Sequence, residues 1–231
     1  DPFRIQWSGL NAITTWTSGV TLSDFQDLPD GGRVRGVLEM GQDVGIIGQE
    51  TAFRRMVFAA GSDVVFQIDR LTTDRGLRAP YSLVQANGTA YCLSSRGFVQ
   101  ISPDGAFTPI GEERIDRTFL ADYDTGNIQL VIAAADPSKS IYFVAYKSLA
   151  GLSGLFDKAL AYHTSLKRWS PVTLSGEYIA PVARPGLTLE GLDAIAPGAL
   201  TITGAASNGG PNLIRITVAS TATLTTGDVK A

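Results

Sequence analysis

The residues able to do chemistry are few and poorly spaced for it. Among 231 residues there is one histidine, His163, and one cysteine, Cys92. A hydrolytic triad needs a nucleophile, a base and an acid that orients the base. His163 is the single imidazole available, and it falls where a turn is expected, just before Lys167-Arg168-Trp169. An exposed turn histidine accounts for it. Cys92 sits among apolar strand residues, which favours a buried, inert thiol over a reactive thiolate. One histidine and one cysteine cannot close a zinc site within one chain. Asp122 and Asp124 beside Gly126 offer calcium-type oxygen ligands, but the EF-hand spacing is absent and a solvated turn explains them. No phosphate loop or dinucleotide fingerprint occurs. Glu39, Asp43, Glu50, Asp63, Asp69 and Asp74 crowd the first strands, and glycoside hydrolysis needs only two acids about 5–10 Å apart. Almost any acidic β protein offers as much. The sequence therefore predicts no catalytic, cofactor-binding or metal-binding residue, no cofactor, and a protein that is not an enzyme.

Charge narrows the partners. The formal net charge is −3 and the pI about 5.2, so the clustered Lys and Arg that release phosphate counterions are missing. Double-stranded DNA could pass nearby without being gripped. The weak basic clusters Arg54-Arg55, Arg75 with Arg78, and Lys167-Arg168 are expected to serve as solvated strand edges or bridges between subunits. If the chain instead bound a glycan, Trp7, Trp16 and Trp169 would be the stacking surfaces. Asn87-Gly88-Thr89 has the form of a glycosylation acceptor, and a turn explains it without modification. No run of 18 apolar residues predicts a membrane-spanning segment, no signal-peptide pattern is present, and one cysteine gives no disulfide framework. Opening on Asp1-Pro2 and stopping at Lys230-Ala231, the chain reads as an interior piece of a longer polypeptide.

The positioning elements are legible as strands. Residues 37–40, 44–47, 53–59, 64–68, 81–86, 89–93, 98–101, 128–133, 141–146 and 156–162 are short runs rich in Val, Ile, Phe or Tyr, the composition of strands. Between them lie turn formers such as Asn87-Gly88, Pro103-Asp104-Gly105 and Asp136-Pro137-Ser138, which supply preset or positive φ. Asn87-Gly88 predicts a type I′ hairpin. In residues 89–94, alternation puts Tyr91 and Leu93 on one face and Cys92 on the other. One stretch differs: Ile115, Phe119 and Leu120 recur at helical spacing within residues 112–123, with Glu112 and Glu113 where the helix dipole favours anions.

The predicted fold is all-β. A propeller-like meander of short antiparallel strands with one short helix occupies residues 1–179. Residues 180–198 read as a linker, with 187–195 ambiguous between helix and strand. Residues 199–231 form the start of a small Thr/Gly-rich β module, read as truncated.

Several motifs are similar to those of tailed-bacteriophage virion proteins. Phe3-Arg4-Ile5-Gln6-Trp7-Ser8 looks like an opening strand of head-to-tail and tail proteins. It is followed by Phe53-Arg54-Arg55, Val64-Val65-Phe66-Gln67-Ile68, Ala79-Pro80-Tyr81-Ser82 after Gly76, then Ala90-Tyr91-Cys92-Leu93-Ser94 and Gly97-Phe98. This order resembles tail nozzle, tail tubular and packaged-DNA-stabilisation proteins. Residues 156–169, ending in Lys167-Arg168-Trp169, look like a recurring propeller element. Thr188-Leu189-Glu190-Gly191-Leu192-Asp193 resembles a motif that follows such domains, and residues 213–229 resemble small tail and fibre modules.

The resemblance implies a structural virion component located in the tail. Such a component would be a nozzle or head-to-tail connector that extends the DNA channel and anchors distal tail parts. Its implied partners are other copies in a homo-oligomeric ring, commonly a hexamer, and neighbouring tail or portal proteins, with DNA passing through without sequence-specific binding. The alternative is a receptor- or glycan-binding β module of a tail tip or fibre.

Overall fold

The structure is a computed structural model that describes residues 1–180, except 42, 60, 62, 63 and 153, and the backbone of residues 202–207 and 214–218. The chain divides into two compact units, Asp1–Pro181 and Val182–Ala231.

The first unit is built from antiparallel meanders. β1 (Arg4–Trp7) and β2 (Asp24–Asp27) form a two-stranded hairpin. Three four-stranded sheets follow in chain order among the described residues. The first comprises β3 (Val34–Glu39), β4 (Val44–Gln49), β5 (Phe53–Phe58) and β6 (Phe66–Arg70). The second comprises β7 (Val84–Ala86), β8 (Thr89–Ser94), β9 (Gly97–Ile101) and β10 (Phe107–Pro109). The third comprises β11 (Ile132–Asp136), β12 (Ile141–Tyr146), β13 (Phe156–His163) and β14 (Arg168–Gly176). In each sheet the strands run up and down in sequence order, the blade pattern of propeller architectures. β7 packs against β3 on one side and β11 on the other. The fold is all-β, with open, propeller-like sheets.

Hydrophobic alternation decides which sheet meets which. The second sheet lies between the other two, so its strands are apolar on both faces. Tyr91 and Leu93 of β8 join Phe98, Tyr142 and Leu160 in a core shared with the third sheet. Ala90 and Cys92 of the same strand join Ile46, Phe53 and Val99 in a core shared with the first. This is the predicted two-faced strand. The core toward the third sheet is aromatic: Tyr91 stacks on Tyr142 at 5.3 Å and Phe98 meets Phe119 at 4.9 Å between ring centroids. Tilted and offset ring pairs of this kind add to plain burial. Buried polar groups inside it are paired. The Tyr142 hydroxyl donates to the Ser82 carbonyl at 3.1 Å, and the Ser82 hydroxyl accepts the Leu93 N–H at 2.8 Å.

The Asn87-Gly88 turn has φ of 50° and 75°, the double positive φ of a type I′ hairpin. The helix departs from expectation. α1 is Asp116–Asp122, because the Gly111 carbonyl accepts the N–H groups of Arg114, Ile115 and Asp116 in a tight turn and Glu113 takes a φ of 58°. Glu112 and Glu113 therefore precede the helix, and Asp116 is the acid of its first turn. Residues 81–83 and 128–130 are not strand: they lie in or beside short 3-10 turns at Pro80–Ser82 and Thr125–Leu130. β2 and β10 carry no strand signature of their own and owe their pairing to neighbours.

In the second unit, β15 (Ile202–Ser207) pairs antiparallel with β16 (Ile214–Val218). The expected linker at residues 180–198, the motif at 188–193 and the end of the expected module beyond residue 218 lie outside the described residues, apart from residue 180.

Candidate functional site

The residues first considered for chemistry are each tied into the structure. His163 ends β13, half-buried, and its Nδ1 accepts the Leu166 N–H at 3.3 Å. It closes the turn into β14 rather than lying fully exposed within it. Cys92 is fully buried, and desolvation pushes its thiol far above the ordinary range, leaving no thiolate for chemistry.

The calcium-type pair is neutralised by lysines. Asp124 accepts from Lys147 Nζ at 2.7 Å, Asn127 Nδ2 at 2.7 Å and the Gly126 N–H at 2.9 Å. The lysine bond, followed by the Asn127 bond, lowers its carboxyl to about 2. Asp122 takes Lys158 Nζ at 2.9 Å and the Tyr146 hydroxyl at 3.0 Å. Burial and then this acid neighbour push the Tyr146 phenol well above its ordinary value. Asp122 thus ties α1 to β12 and β13, and Asp124 ties the segment after α1 to the residue that follows β12.

Three of the acids near the first strands are each paired with a different arginine. Glu50 pairs with Arg35 at 3.0 Å, Asp69 with Arg55 at 3.4 Å and Asp74 with Arg96 at 2.7 Å. Glu39 and Asp43 are exposed, and Asp63 lies outside the described residues. Arg54 is buried between Asp30 and Gln49, so the Arg54-Arg55 cluster makes bonds within the chain. Arg114 donates to the Lys167 carbonyl, and Arg78 and Arg168 are exposed.

Two of the three tryptophans are committed to packing. Trp169 lies against Phe98 and Tyr162 at 5.0 and 4.9 Å. Trp7 meets Phe66 edge-on at 5.0 Å. Trp16 is exposed. An open groove of about 720 Å³ runs past Gln100, Thr108, Glu112, Glu113, Arg114 and Lys167. Its charges are of both signs.

The most distinctive exposed feature is the connection between β1 and β2. Residues 8–23 contain no Asp, Glu, Lys, Arg or His, in a chain that is 18% charged. The backbone closes on itself: the N–H groups of Gly9, Leu10 and Gly19 donate to the carbonyls of Thr15, Thr21 and Ser23 at 2.7–2.8 Å. The buried Ser23 hydroxyl donates to the Val20 carbonyl at 2.7 Å. Two side chains of the hairpin base reach up into it. Gln6 Nε2 donates to the Trp16 carbonyl at 2.8 Å, and Trp7 Nε1 to the Leu22 carbonyl at 3.0 Å. Asn11, Thr21 and Leu22 hold left-handed φ of 54°, 51° and 68°, conformations that non-glycine residues adopt at a cost.

While these backbone bonds close the segment, its large apolar side chains are left outside. Leu10, Ile13, Trp16, Val20 and Leu22 are all exposed. Five large apolar side chains exposed within one sixteen-residue segment are the kind of surface that docking relieves. Among these residues the sequence reading singled out Trp16 alone, as a sugar-stacking candidate. The signal that finds the rest is the sixteen-residue absence of charge combined with recurring Leu, Ile and Val.

No protein-family model matches the chain, and no curated protein matches it significantly.

Proposed function

We propose that this chain is a structural subunit of a bacteriophage virion: a tail nozzle or head-to-tail connector component that assembles into a ring, extends the DNA channel and anchors distal tail parts. The observation that carries the assembly role is the uncharged connection between β1 and β2, residues 8–23, which leaves five large apolar side chains in solvent on the isolated chain. Such a surface is stable in water only at a cost and is relieved by docking. The phage setting rests on the motif resemblance of residues 3–8, 53–98 and 156–169.

Charge fits a conduit. Arg4, Arg35, Arg54, Arg55, Arg70 and Arg96 are all paired with acids of the same chain. These six guanidinium groups are thereby engaged within the chain rather than free to hold passing phosphates. Three consecutive rigid meanders give a wall that keeps its shape while its connections make contacts.

The test is imaging of intact particles labelled with an antibody fragment against this chain. Label on the tail axis below the portal is expected. Label at peripheral fibres, or none on the particle, would overturn the reading.

A further inference from the structure

We propose that the groove of about 720 Å³ lined by the second and third sheets is a binding site for a neutral oligosaccharide. The inference goes beyond the assembly reading and stands independently of it. One wall is the end of β10 and the segment after it, with Thr108, Glu112 and Glu113. The other is Tyr162 of β13 and Lys167 of the turn into β14. Small-molecule sites occupy about 300–1,000 Å³, and the groove falls in that range.

Tyr162 carries the argument. The residue is 1% exposed, yet it lines the groove, and its hydroxyl makes no hydrogen bond with a described residue. Among the described residues, Arg55 Nε is the one buried side-chain nitrogen or oxygen left without a partner. The Tyr162 oxygen is therefore not sealed in the core: the small part of the residue that stays exposed includes it, at the groove surface. Burial raises this phenol above its ordinary value, and the Arg114 charge offsets the rise in part. The hydroxyl thus stays protonated and can donate as well as accept.

The polar groups around it are equally unused. The side chains of Gln100, Thr108, Glu112 and Glu113 make no hydrogen bond within the described chain, and the Lys167 ammonium pairs with no acid there. Glu112 and Glu113 balance Arg114 and Lys167, so the lining carries no net charge. A hydroxyl suits such a lining best. It donates to carboxylates and accepts from guanidinium and ammonium groups, whereas a ligand carboxylate only accepts and a ligand ammonium only donates. Pro109 and Ile110 add apolar lining for the C–H face of a ring. A molecule with many hydroxyls, apolar ring faces and no charge is an oligosaccharide.

The two walls are fixed to each other before a ligand arrives. Trp169 Nε1 donates to the Ile110 carbonyl at 2.7 Å, and the Arg114 guanidinium donates to the Lys167 carbonyl. Glu113 and Lys167 hold left-handed φ of 58° and 53°, strain of the kind that gathers at ligand clamps. A preorganised lining loses little freedom on binding.

The experiment incubates the full chain with an array of neutral short oligosaccharides of glucose, galactose, mannose and N-acetylhexosamines, then titrates the strongest binder by calorimetry. At least one saccharide is expected to bind. Tyr162→Phe and Glu113→Gln should each weaken it about fivefold or more, the loss of one hydrogen bond, and Trp16→Ala should leave it unchanged. Melting curves check that Tyr162→Phe folds. Glu113 is exposed, so its variant tests the site even if the tyrosine variant does not fold. A blank array would overturn the proposal. Binding untouched by both groove variants would also overturn it, and loss of that binding in Trp16→Ala would place the sugar on the exposed tryptophan. Binding of the dipeptide lysylglutamate with no saccharide bound would make the groove a zwitterion site, and the proposal would be wrong.

Discussion

The indole N–H of Trp169 donates to the carbonyl oxygen of Ile110 at 2.7 Å, across 59 residues of chain. This bond clips β14 of the third sheet to the segment leaving β10 of the second, on top of the ring contacts with Phe98 and Tyr162. Trp169→Phe keeps an aromatic ring but leaves the Ile110 carbonyl without this donor. The expected loss is about 2 kcal/mol of stability, combining a missing hydrogen bond with a small cavity. Urea unfolding measures it. A midpoint unchanged from the parent would show that the clip contributes nothing.

Gly76, in the segment between the first two sheets, passes close against the backbone of residues 49 and 50. A Cβ there would lie 2.2 Å from the Glu50 carbonyl oxygen and 2.5 Å from that of Gln49. Neither obstacle is a side chain that can swing away. Gly76→Ala should cost roughly 2–4 kcal/mol, the range of overpacking with backbone shift. Gly41→Ala, where a Cβ meets nothing within 4 Å, should change stability by less than about 0.5 kcal/mol. Equal effects at the two positions would contradict the packing described.

Asp116 is a buried carboxylate whose oxygen accepts the Phe98 N–H at 3.0 Å. Burial raises its carboxyl above the ordinary value, and the Phe98 bond offsets this only in part. An acid with a raised folded pKa binds more protons folded than unfolded, so its contribution to stability declines as pH rises through that window. Asp116→Asn keeps an acceptor without the charge and should match or exceed the parent at pH 7. Asp116→Ala leaves a buried N–H unpaired and should cost about 1–3 kcal/mol. Thermal melts of both variants at pH 4 and pH 7 separate the two effects. A larger loss for Asn than for Ala would refute the assignment.

The Asp124–Lys147 pair works in the opposite sense. Because the folded carboxyl is lowered to about 2, its contribution is present above the ordinary carboxylate range and fades as pH falls toward 2. Asp124→Asn should weaken the protein at pH 6 and flatten the acid limb of its stability profile below pH 4. It also leaves the nearly buried Lys147 ammonium without its counter-charge, a strongly unfavourable state. Parallel acid profiles for variant and parent would exclude the pair as a source of acid sensitivity.

Much of the fold was legible because its strands are buried on one or both faces. β8, β9 and β12 read as apolar runs ended by turn residues, and the Asn87-Gly88 dipeptide announces its own geometry. β10 and β2 were not legible: Phe107-Thr108-Pro109 and Asp24-Phe25-Gln26-Asp27 have no alternation long enough to register and are defined by the strands they pair with. The early start expected for the helix had a local cause, since helical spacing cannot see that the Gly111 carbonyl gathers three N–H groups. The hairpin at residues 8–23 was missed for a different reason. A search for reactive groups passes over a segment whose distinguishing property is that it has none, and only the structure reveals that its apolar side chains remain in solvent.

The most direct test of an assembling structural subunit is the mass of the purified chain by light scattering across a wide concentration range. The account predicts a rise from the monomer, 24.5 kDa, to a discrete multiple of it as concentration increases. A mass that stays at the monomer value throughout would contradict it.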